Sequence, residues 1–109
     1  MVAEFNNFKI TVIKRNFYQD LINNYVDEKH RDHMKPCENF HDNQEFILEG
    51  EAAFSQPLKD FCAWAWVDIR RDILTVAFGG EMPGMNQKCM VLAGCTDWFR
   101  PLIFKIEWI

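Results

Sequence analysis

Asp60-Phe61-Cys62-Ala63-Trp64-Ala65-Trp66-Val67-Asp68-Ile69-Arg70-Arg71-Asp72-Ile73-Leu74-Thr75-Val76-Ala77-Phe78-Gly79-Gly80 is the stretch on which the fold turns. With Asp60 as N-cap and about 100° per residue, Cys62, Ala65, Trp66, Ile69, Ile73, Val76 and Ala77 fall within an arc of about 120°, the width of a core-facing stripe. Asp68, Arg71, Asp72 and Thr75 lie largely outside that arc, where acid–base pairs contribute roughly a few tenths of a kcal/mol. Gly79-Gly80 supplies a left-handed stop. The spacing predicts a central amphipathic helix between Asp60 and that stop.

Upstream, Phe8 to Arg15 alternates, with Phe8, Ile10 and Val12 on one side and Lys9, Thr11 and Arg15 on the other. A period of two across β-branched residues predicts a half-buried strand. Asn16 reads as an N-cap with Gln19 completing a weak capping box, and Phe17, Leu21, Ile22 and Tyr25 recur at helical spacing, so a short helix is expected from Phe17 to about Val26. Asp27 to Asn43 is polar, contains Pro36 and has no sustained period, which predicts a long connection. Gln44 to Glu49 puts Phe46 and Leu48 on one face, a second strand that Gly50 ends, and a connection with Pro57 follows. Downstream, Cys89 to Gly94 is a short apolar strand. Leu102, Phe104, Ile106 and Trp108 then alternate against Ile103, Lys105 and Glu107 in a last strand. The link from Cys95 to Pro101 is longer than a tight hairpin needs. The order β-α-β-α-β-β predicts one α+β domain over residues 1–109: two layers, a four-stranded mixed or antiparallel sheet and two helices on one face.

Composition narrows the function classes. The chain has 109 residues, 49% of them hydrophobic, and a net charge of −4 without any block of like charges. That much apolar content excludes a disordered chain. The dispersed, acidic balance excludes an electrostatic nucleic-acid binder and a polybasic membrane-surface protein. No apolar run approaches the roughly 20 residues that span a bilayer, and an acid with two amides near the N-terminus is unlike a secretory signal. A soluble cytoplasmic protein with reduced Cys37, Cys62, Cys89 and Cys95 is expected.

Three groups of residues could carry chemistry. Cys62, early in the central helix, sits where helix N–H groups favour a reactive thiol, and Trp64 and Trp66 would wall a pocket beside it. The same residue also lies on the core stripe, where a cysteine serves as a small hydrophobe. Cys95, Thr96, Asp97 and Arg100 crowd polar handles onto one loop; Asp97 and Arg100 either orient a ligand or form a turn with an ion pair. His30, His33, Cys37 and His41, spaced three, four and four, are the weak metal candidates, with Pro36 interrupting any continuous helix. Phosphate-binding glycine motifs, H-E-x-x-H and G-x-S-x-G are missing, and no particular cofactor is indicated.

The strings Phe61-Cys62-Ala63-Trp64-Ala65-Trp66-Val67-Asp68-Ile69, Phe78-Gly79-Gly80 and Cys95-Thr96-Asp97 with Arg100-Pro101-Leu102-Ile103-Phe104-Lys105 resemble a family of short prokaryotic proteins of unknown function, common in anaerobes. That family carries C-P-W-A-W-x-D-I, a helix ending in F-G-G, and a terminal C-T-D-G-x-R-P-V-x-F-K. Val12 to Tyr18, Cys37 to Phe40 and Gln44 to Phe46 fit its first half. Ala63 stands in place of Pro, Gly94 in place of a second Cys, Asn43 in place of Gly, and Trp98 in place of Gly. The resemblance singles out Cys37, Cys62, Trp64, Asp68, Cys95, Thr96, Asp97 and Arg100 and implies no activity. The expected function is small-molecule binding in a Trp/Cys-lined pocket, with thiol chemistry centred on Cys62 and Asp68 among the ligand contacts. The alternatives are a Cys/His metal or redox module and an interaction subunit, the latter suggested by the four Trp and the Met82–Met85 stretch. A homodimer is expected from the last strand, whose Trp108 and Ile109 would offer an apolar edge needing cover.

Overall fold

The computed structural model describes residues 5–54 and 60–109, so the connection containing Pro57 lies outside the described residues. Its frame is one four-stranded sheet of β1 (Phe8–Arg15), β2 (Glu45–Leu48), β3 (Met90–Gly94) and β4 (Leu102–Trp108), ordered β2-β1-β4-β3. Every neighbouring pair is antiparallel. With α1 (Gln19–Tyr25), α2 (Glu28–Arg31) and α3 (Ala63–Ala77), the architecture is the expected α+β. A 3₁₀ segment, Gly50–Phe54, and the one-turn α2 add to the two helices anticipated. Asp27 caps α2 by accepting from the Lys29 N–H, the local device that makes one turn possible in a polar stretch.

The core lies between the sheet and α3. Phe8, Ile10, Val12, Leu102, Phe104 and Ile106 project from the two central strands onto Ala65, Trp66, Ile69, Ile73, Val76 and Ala77, all buried. The predicted stripe of α3 is therefore its buried face, except that Cys62 stands at its edge, half-buried. Gly79-Gly80 ends the helix as expected. Gly79 takes φ +92°, the Gly79 N–H donates to the Val76 carbonyl (3.0 Å) and the Gly80 N–H to the Thr75 carbonyl (2.7 Å), a Schellman closure.

Four expectations need correction. The N-cap of α3 is Cys62, not Asp60: the ring of Phe61 is drawn into the core against Phe40, Phe104 and Trp66, and helical geometry begins only after it. Likewise α1 starts at Gln19. The N–H groups of Asn16 and Tyr18 donate to the Pro101 and Phe99 carbonyls, prolonging the pairing beyond Arg15, and the Gln19 side chain bonds Asn23 instead of reaching back. The last strand is not an edge. β4 is paired on both sides and the edges are β2 and β3, so the argument for a homodimer through Trp108 and Ile109 falls. Moreover, the indole N–H of Trp108 donates to the Val76 carbonyl (2.8 Å), tying β4 to the end of α3.

The fourth correction concerns Arg15. Register passes from Val12↔Phe104 to Lys14↔Ile103, so Ile13 is a bulged residue with no partner. One extra residue reverses which face each later side chain takes. Arg15, expected beside Lys9 and Thr11, instead stands opposite the core-facing Leu102. There its guanidinium donates to the carbonyls of Cys37 (2.8 Å) and Phe40 (3.3 Å) and to the carboxylate of Asp42 (3.0 Å).

Candidate functional site

Three chain segments meet where α3 begins, β3 ends and β4 starts. The first is the loop held by Arg15. Phe40 anchors it from below, buried against Phe61, Phe104 and Phe46 with ring centroids 4.9, 5.3 and 6.0 Å away. Edge-to-face pairs of this kind add roughly 0.5–1.5 kcal/mol each beyond area burial. Together these contacts bring Cys37 to the start of α3.

The second segment is the first turn of α3. The Cys62 carbonyl accepts the Trp66 N–H (3.0 Å), but no side chain caps the helix here. Residues two apart on a helix lie about 200° apart, so Trp64 and Trp66 cannot share a face. Trp66 is 2% exposed in the core, while Trp64 is 66% exposed. Only Trp64 walls the site.

The third is the β3–β4 connection. Asp68 accepts both the backbone N–H (2.7 Å) and the hydroxyl (2.9 Å) of Thr96, and the Trp64 indole N–H donates to the Thr96 oxygen (2.8 Å). Trp64 and Asp68, one helical turn apart, thereby grip the residue next to Cys95. Asp97 makes the turn: it accepts from the Phe99 and Arg100 N–H groups (3.2 and 3.3 Å) and pairs with the Arg100 guanidinium at 2.8 Å. Arg100 also reaches the Lys35 carbonyl (3.4 Å), clasping this loop to the first one. The Leu102 N–H donates to the Cys95 sulfur at 3.3 Å.

Between these segments lies a cavity of ≈ 430 Å³. Cys37, Cys62 and Cys95, all with free thiols, share its wall with Trp64, Trp98 and Phe99, above Phe40, Ala65 and Leu102. Thr96, Asp97, Arg100 and Asn39 supply polar atoms. Of the residues nominated from sequence, Cys62, Cys95, Trp64, Thr96, Asp97, Arg100 and Cys37 converge here. Trp66 does not, and Asp68 stands behind Thr96 as a positioning group. His30, His33 and His41 are exposed and none lines the cavity; among the described residues no group of three or more His, Cys, Asp or Glu side chains is placed to hold a metal ion. Met82 packs against the core, so the Met82–Met85 stretch exposes less apolar surface than its composition implies.

Asn39, Phe40, Ala65, Trp98, Phe99 and Leu102 line the cavity without being among the residues nominated from sequence. An isolated aromatic in a polar run, as Phe40 is, signals an anchor of this kind. No signal in the chain marks Arg15, because its role depends on the bulge.

Among protein-family models, curated proteins and solved structures, nothing matches this chain. Among the described residues, no helix is long and apolar enough to cross a membrane.

Proposed function

We propose that this chain binds a small molecule in the thiol-lined cavity and offers it reactive sulfur, Cys62 foremost. One observation carries the reading: three free thiols, distant in sequence, share the wall of a single aromatic cavity. The volume falls within the range of small-molecule sites, and a mostly apolar wall with few convergent polar groups is how such sites fix orientation. All the residues that the family resemblance singles out, apart from Asp68, line this cavity. That supports treating those motifs as a binding signature.

The test is native mass spectrometry on protein expressed and purified without oxygen. The expected result is extra mass on the chain that denaturation removes and that Cys62→Ser reduces while circular dichroism stays native. The reading falls if the wild-type mass is bare and a small-molecule fraction of the same cells leaves iodoacetamide alkylation of Cys37, Cys62 and Cys95 unslowed.

A second reading, an interaction subunit or homodimer, is favoured by Val67 and Trp98, which are 72% and 71% exposed beside Trp64. Light-scattering mass that rises with concentration, and no longer does so in Trp98→Ala, supports it.

A further inference from the structure

A second hollow of ≈ 260 Å³ adjoins the thiol cavity and has the opposite character. Its wall is His33, Lys35, Cys37, Glu38, Asn39 and Arg100. Cys37, Asn39 and Arg100 belong to both hollows, so the two adjoin across these residues as an apolar half and a polar half. The polar half is lined by Lys35, Arg100 and His33, with two carboxylates beside them: Glu38 on the same wall and Asp97, whose charge is engaged by Arg100. Glu38 already pairs with Lys35 at 3.8 Å, and both are well exposed, so that pair is loose and screened. In a chain of net charge −4, a concave surface where two cations match two carboxylates is less acidic than the chain as a whole.

Resting on the binding function proposed above, we infer that the ligand is an organic anion. Its apolar or aromatic body lies among Trp64, Phe99 and the thiols, and its anionic head faces Lys35 and Arg100. Arg100 can serve the head without leaving Asp97, because the bonds to Asp97 and Lys35 use Nε and Nη1 and leave Nη2 free of both. The head displaces Glu38 from Lys35; that exchange costs little, since an exposed pair is screened by water and salt.

Titration calorimetry with two probes of the same shape tests this: 1-naphthaleneacetate and its neutral amide, 1-naphthaleneacetamide. The acid is expected to bind about fivefold more tightly than the amide, the scale of one partly exposed charge contact. Lys35→Gln should remove most of that preference and Glu38→Gln should enlarge it. Both side chains are 65% or more exposed, so neither change reaches the core. Trp64→Ala should weaken both probes alike, which places the body in the apolar half. Equal affinity for acid and amide, or a preference untouched by Lys35→Gln, overturns the anion inference and leaves the cavity reading standing. Failure of both probes to bind overturns both.

Discussion

The two ends of α3 are built to opposite specifications. At the C-terminal end the backbone is closed by the Gly79 and Gly80 N–H groups, the Val76 carbonyl is taken by Trp108, and Phe78 packs edge-on to Phe5 and Phe54 at 5.2 and 5.9 Å. At the N-terminal end no side chain caps the helix, the N-cap residue is a free cysteine, and a cavity opens beside it. Backbone groups are satisfied at the closed end, and the groups fit for binding gather at the open one. A protein can leave one helix end unsatisfied when the other end and the stripe between them hold the helix in place.

Substitutions at the closed end should therefore cost stability, and those at the open end should cost binding alone. The largest effect is expected from Gly79→Val, which forces a β-branched residue into φ +92° with a Trp108 ring atom 3.4 Å from the new Cβ. About 2 kcal/mol should be lost in urea unfolding. Trp108→Phe keeps an aromatic ring but removes the indole bond to the Val76 carbonyl, which retains the Gly79 N–H, and about 1 kcal/mol is expected. Cys62→Ser should run the other way. A hydroxyl at the N-cap supplies the missing acceptor, so stability should rise by roughly 0.5–1 kcal/mol while the ligand-dependent mass falls. A loss of stability there would break the comparison, because Cys62 would then be a packing residue.

The smallest effect tests the middle of the helix. Burial raises the Asp72 carboxyl above its ordinary 3.8, against the pull of Arg71. A native carboxyl that holds its proton more tightly than the unfolded chain contributes stability below about 3.8 and loses it as pH rises through the native value. Asp72→Asn should thus be slightly stabilising at pH 7, and the gain should disappear below pH 3.8. Thermal melts of both proteins across that range would show it.

What the sequence discloses divides along the same line. The stripe from Ala65 to Ala77 and the stop at Gly79 were legible because periodicity and left-handed geometry are local properties. The alternation of β1 and β4 was legible for the same reason. Asp60 is a better cap by residue type than Cys62, yet burial of Phe61 overrode it. The position of β4 inside the sheet is a fact about strand order, which no local pattern encodes. The meeting of Cys37, Cys62 and Cys95 was illegible for that reason too: it depends on Phe40 being buried, on Asp68 gripping Thr96, and on Arg15 facing inward.

The inward turn of Arg15 makes the cavity a matter of parity. The strand carries one residue more than its partner, and that odd residue sits at Ile13. Pair Ile13 with Ile103, so that the alternation runs on without the bulge, and every side chain before it keeps its place. Arg15, however, would fall on the side that carries Lys9 and Thr11, and the loop bearing Cys37 would lose the group that holds two of its carbonyls. The sheet could survive that change with its core intact and still have no third wall against which a ligand could rest.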